Sequence, residues 1–154
     1  MAHEPVNTDA PLTNFSHCHD GILAHLGTFG ELPALLGPAA RARQIAEDIV
    51  DFFRAAVYEH HAEEERELFP AVMASAQPGE EREKVANMVK WLTQEHRDVE
   101  HLWARLEPQL KKLAKGHAAD LDGSAIEHLV TKYTAHARFE EDEFLPLAET
   151  ILGR

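Results

Sequence analysis

The chain carries one phrase twice. His60-His61-Ala62-Glu63-Glu64-Glu65-Arg66-Glu67-Leu68-Phe69-Pro70 aligns with His136-Ala137-Arg138-Phe139-Glu140-Glu141-Asp142-Glu143-Phe144-Leu145-Pro146, an offset of 76 positions (136 minus 60). Both read His-x-x-x-Glu-Glu-x-x-Φ-Φ-Pro, where Φ is a large apolar residue. An α-helix advances about 100° per residue, so a His and a Glu four apart stand one above the other on one face. At that spacing a neutral imidazole and a carboxylate reach one cation. Two such pairs facing each other make a two-metal site.

The duplication extends upstream. A lone histidine in a helical pattern precedes each phrase by about forty residues, His19 before His60 and His96 before His136. The unit is a helix with one His, a connection, and a helix with His-x-x-x-Glu. Two copies predict an all-α fold, an up-down-up-down four-helix bundle with a pseudo-twofold axis. Residues 1–11 are expected to form a flexible tail and residues 12–154 the domain.

Apolar spacing places the elements. The first helix runs from Leu12 to about Leu36 and should stop at Gly37-Pro38, a breaker pair. The second runs from about Ala39 towards Ser75, followed by the turn Gln77-Pro78-Gly79. The third covers about Glu80 to Lys115, and the fourth continues to about Ile151, capped by Asp122 or Ser124. Pro70, Pro108 and Pro146 fall inside helical patterns, where each should kink or interrupt the helix.

Helical projection separates inward histidines from surface ones. With Phe53 at zero, His60 lies at about −20° and Glu64 at about +20°, whereas His61 and Glu65 fall near +80° and +120°. His136 and Glu140 repeat the inward layout in the fourth helix. His96 shares its stripe with Leu92 and Trp103, and Glu100 is about 40° away. His19 lies among Phe15, Ile22 and Leu26. The remaining histidines, His61 among them, are assigned to the surface, and the acidic run Glu63–Glu67 to a solvated face around one ligand. Two carboxylates and four imidazoles on buried stripes are consistent with a cation that neutralises them.

A net charge of −12 argues against nucleic acid or an anionic membrane as partner. No apolar run reaches the roughly 20 residues of a membrane span. Met1 to Pro11 lack the basic start and apolar stretch of a secretion signal. One cysteine, Cys18, cannot form an internal disulfide, which suits a reducing cytoplasm. Trp91 projects away from Trp103, and an exposed Trp would suit a homodimer contact; monomer and homodimer both stay open.

The two phrases, with their Leu-Phe-Pro and Phe-Leu-Pro endings, resemble the HHE cation-binding domain of hemerythrin-like proteins over about Leu12 to Ile151. The resemblance implies a four-helix bundle around an oxo- or hydroxo-bridged di-iron centre. It implies His19, His60, His96 and His136 as terminal ligands and Glu64 and Glu140 as bridges. The oxygen-carrying members have a second histidine on the third helix where this chain has Glu100. Their last carboxylate follows its histidine by five residues, the place of Glu141. Glu100 is therefore a further metal ligand, a partner to an imidazole N–H, or a group that holds only water.

Mixed imidazole and carboxylate donors suit iron among abundant metals, and also fit zinc and manganese. Two functions follow. One is a module that binds or senses oxygen, peroxide, nitric oxide or iron; the other is an enzyme that reduces peroxide or nitric oxide or repairs damaged iron centres. In either, the partner is a small diatomic ligand or peroxide.

Overall fold

The structure, a computed structural model, describes the backbone of residues 11–154 and the side chains from residue 20 onward. The expected N-terminal tail, and the side chains of Cys18 and the expected ligand His19, lie outside the described residues. Every regular element among the described residues is helical. In chain order they are α1 (Pro11–Phe52), a first π-helical segment (Phe53–Val57), α2 (Tyr58–Glu63), a second (Glu64–Leu68), α3 (Phe69–Ser75), α4 (Glu80–Ala114), α5 (Gly123–Phe139), a third (Glu140–Phe144) and α6 (Leu145–Leu152).

Compactness divides the chain after Ala42. In the first unit α1 continues through Pro33 and Pro38, where a stop at Gly37-Pro38 was expected. Each proline deprives the carbonyl four residues earlier, at Phe29 and Ala34, of its helical donor. Both residues are exposed, where water can satisfy a carbonyl. Helix therefore runs in three long stretches, 11–75, 80–114 and 123–152. The all-helical class is what the structure shows; the count of four is not.

In the second unit two apolar clusters bracket a polar layer. One contains Val50, Phe53, Val57, Val99, Trp103 and Leu106, and the other Phe69, Val72, Val85, Leu92, Phe144 and Ile151. Phe53 stacks on Trp103 with ring centroids 4.1 Å apart, and Phe69 meets Phe144 edge-on at 5.3 Å. Between these clusters lie the histidines and glutamates of the repeated phrases. Asp122 caps α5, accepting from the Ala125 N–H at 3.0 Å. Gly79, at φ 104°, opens α4 from a conformation that side chains disfavour. Pro108 lies inside α4 without ending it.

The π-helical segments are the chief departure from the expected periodicity. The second and third occupy equivalent places in the two phrases and run directly into Phe69-Pro70 and Leu145-Pro146. Proline cannot donate to the carbonyl four residues back, and its ring crowds that carbonyl. The turn before it widens instead: the Phe69 N–H bonds to Glu64 O and the Leu145 N–H to Glu140 O, both five residues back. The interruptions expected at Pro70 and Pro146 thus take the form of π turns. The first segment contains no proline. Phe53 and Val57 within it are buried.

Trp103→Ala is expected to lower unfolding stability by about 3–5 kcal/mol in denaturant titration, since it empties the centre of the first cluster. Trp91→Ala, whose ring is exposed and only edges Phe139, should cost about 1 kcal/mol.

Candidate metal centre

The first π-helical segment shifts the helical register of α2, which follows it directly. A π turn accommodates one extra residue, so the position that a plain helix would give to His60 is taken by His61. His61 is buried at 1 % exposure, and the His60 side chain is 55 % exposed. The assignment of His61 to the surface is therefore corrected, and the cause is a local change of helical period. His96 and His136, with no π turn between them and their reference residues, are buried as expected, and so are Glu64 and Glu140.

Three buried imidazoles are oriented alike. The Nδ1–H of His61 donates to Glu100 Oε2 at 2.9 Å, that of His96 to Glu65 Oε2 at 2.9 Å, and that of His136 to Glu95 Oε1 at 3.0 Å. A carboxylate on Nδ1 fixes the tautomer and leaves Nε2 with a free lone pair. The Nε2 atoms of all three, with Glu64 Oε1 and Glu140 Oε1, are buried and have no hydrogen-bond partner among the described residues. Five orphaned acceptors in one polar layer are a costly arrangement unless a cation serves them.

His60 also reaches this layer, from the solvent side. Its Nε2 stands 2.6 Å from Glu64 Oε1 without the alignment of a hydrogen bond, as two donors turned towards a shared ion would stand. His96 Nε2 lies 3.9 Å from the same oxygen, and His136 Nε2 3.7 Å from Glu140 Oε1. Two groups have donor atoms mutually within 4.8 Å: His96, His136 and Glu140, and His60, Glu64 and Glu140. Glu140 belongs to both. Glu100, a candidate ligand by sequence, has Oε2 on His61 Nδ1 and Oε1 3.2 Å from Arg97, and so stands as the partner of an imidazole N–H.

Projection also missed Glu65 and Glu95. Glu65, placed on the solvated flank, accepts from His96, and Glu95 is buried beside its own neighbour in sequence, His96, while serving His136 across the helix pair. Nothing in the periodicity of a single helix marks a residue whose partner is on another. The signal for His61 was present in the His60-His61 doublet, which offers both faces of the helix a ligand.

Burial controls the protonation of the layer. It raises the Glu64 carboxyl from its ordinary 4.5 to about 9, helped by the neighbouring Glu140 carboxyl and the charge of Glu65. It lowers His96 from 6.5 to about 2, together with the positive charge of His61, His136 and Arg97. His61 is also lowered by burial, against the opposing effect of the hydrogen bond it donates to Glu100. Tyr133 is raised, first by burial and then by Glu140 and Glu64. Neutral imidazoles beside a carboxyl that resists ionising form a donor set whose loading with a cation would release a proton.

The family pattern for the hemerythrin HHE cation binding domain matches residues 10–148. The chain belongs to that family. An uncharacterized protein of Haemophilus influenzae is 24 % identical over 137 residues, covering 87 % of this chain and 76 % of the relative. No solved structure matches significantly. Hemerythrin HHE domains bind cations, in accord with the orphaned donors. Among the described residues no helix is long and apolar enough to cross a membrane.

The metal-free protein should show a stability maximum in mildly acidic solution. The raised Glu64 favours the folded state fully below pH 4.5, and that contribution is lost as pH rises towards 9. The lowered His96 contributes fully above pH 6.5, and its contribution is lost as pH falls towards 2. Thermal unfolding of metal-free protein should therefore peak between pH 4.5 and 6.5, and bound divalent metal should flatten the alkaline limb.

Proposed function

We propose that this chain is a non-haem di-iron protein of hemerythrin-like type that binds or senses a small ligand such as oxygen, peroxide or nitric oxide. The observation that carries the reading is the sharing of Glu140 by two donor groups, one with His96 and His136 and the other with His60 and Glu64. A carboxylate common to two groups suits a bridge between two ions, and Glu64, between His60 and His96, suits a second. Mixed imidazole and carboxylate donors favour iron. Bound iron would supply reversible redox chemistry and an open coordination position for the small ligand.

The residues of the chain have separate parts in this reading. His61, His96 and His136 present Nε2 to the site, and Glu100, Glu65 and Glu95 hold them there. Glu64 and Glu140 would neutralise the ions, and Glu64 would give up its proton on loading. The apolar clusters close the layer on two sides. The sequence repeat supports a fourth helix in an up-down-up-down bundle, with His19 as a further ligand in the place that His96 holds in the second half.

Metal analysis with an optical spectrum tests this directly. Purified protein is expected to hold about two irons per chain, the count of a di-iron centre. Glu140→Ala should lower that count most, and Glu64→Ala should also lower it. Glu65→Ala should leave the count near its original value while weakening affinity roughly 10–100-fold, as loss of a group behind a ligand does. A chain that holds a single zinc, or whose iron content ignores Glu140→Ala, contradicts the reading. Catalytic removal of peroxide by the iron-loaded protein would instead place it among enzymes.

A further inference from the structure

His61 and His96 lie face to face, their ring centroids 3.9 Å apart and their planes within 9°. Their Nδ1–H groups donate to two different carboxylates, Glu100 and Glu65. One guanidinium spans both: Arg97 pairs with Glu65 Oε2 through Nη2, and its Nη1 lies 3.2 Å from Glu100 Oε1. The third imidazole, His136, is served separately. Its carboxylate, Glu95, has Lys132 Nζ at 3.9 Å, and Lys132 in turn lies 3.3 Å from Asp98.

We propose that Arg97 is a positioning residue that fixes two imidazoles of the metal centre at once, the orientation and tautomer of His61 and His96, and so sets the redox poise of iron held there. The redox half rests on the di-iron reading above; the positioning half does not. Arginine suits this place because its planar fork offers N–H groups in two directions at fixed separation, which a lysine ammonium cannot reproduce. The fork ties together side chains from the second π-helical segment and α4. Solvent reaches Arg97, whose side chain is 44 % exposed, and screens part of its charge. Its carboxylate partners are more sheltered, at 26 % for Glu65 and 15 % for Glu100.

The electrostatic direction follows from charge. Without the guanidinium, Glu65 and Glu100 would keep their full negative charge against the two Nδ1–H bonds. The imidazoles would take on more anionic character and become stronger donors, which favours the more highly charged oxidised iron. Loss of Arg97 should therefore lower the reduction potential.

Histidine-labelled protein of full length, free of metal, gives the first measurement, by nitrogen-15 NMR. The wild type should show protected Nδ1 protons on His61, His96 and His136. Arg97→Gln should lose or shift those of His61 and His96 and spare His136, Arg97→Lys should restore them only in part, and Lys132→Gln should disturb His136 alone. Iron-loaded Arg97→Gln should then have a lower midpoint potential and roughly 10–100-fold weaker iron affinity. Arg97→Gln signals that match wild type, or that change equally at all three histidines, overturn the inference. An unchanged potential in iron-loaded Arg97→Gln also overturns it, and leaves the di-iron reading intact. A wild-type chain that loads no iron, with selective imidazole changes as described, overturns the di-iron reading and leaves the positioning role standing.

Discussion

Glu64 and Glu140 are carboxylates inside a helical core, in a layer shared with imidazoles, of which His61 and His96 are held towards the neutral form by burial. Isolated ionised carboxylates in such a place cost several kcal/mol each, so they take up a proton or a cation. That constraint orders much of the molecule. It explains why the polar layer is confined to one level between two apolar clusters, each closed by aromatic residues. It explains why Glu64 resists ionising and His96 resists protonation. It also explains why five buried acceptor atoms face one another without partners among the described residues.

The acidity of the chain serves the same layer. Within the run Glu63–Glu67, Glu64 belongs to the candidate metal groups and Glu65 steadies His96. Glu95 and Glu100, on α4, steady His136 and His61. Each of these three carboxylates meets a cation on its far side, Arg97 or Lys132. Charge therefore alternates outwards from the site: candidate cation, neutral imidazole, carboxylate, then a basic side chain near solvent. Such an arrangement orients ligands and limits the uncompensated charge that burial would otherwise penalise.

Helical period is the second organising variable. The π-helical segments 64–68 and 140–144 fall at equivalent points of the two phrases, so the duplication extends to the backbone. Their position just before Pro70 and Pro146 gives them a local cause. The segment 53–57 has no counterpart in the second half, and it alone brings His61 into the core. The two halves are thus alike in their carboxylates and different in their histidines.

By itself the sequence determined the all-helical class, the membership in a cation-binding family, and the inward placement of Glu64, His96, His136 and Glu140. For His96, His136 and Glu140 that placement follows from residue spacing within one regular helix, which a 3.6-residue period describes; Glu64 lies beyond the first π turn and is buried all the same. Tertiary structure decided which histidine of the His60-His61 doublet is buried, because a π turn at residues 53–57 that no residue in the segment announces changes the helical register ahead of the doublet. It also decided the use of Glu100, Glu65 and Glu95. Those carboxylates have partners 39, 31 and 41 residues away in the chain. A pattern read along one helix carries no information about which side chain on a neighbouring helix will stand at hydrogen-bonding distance. Only packing brings the two together.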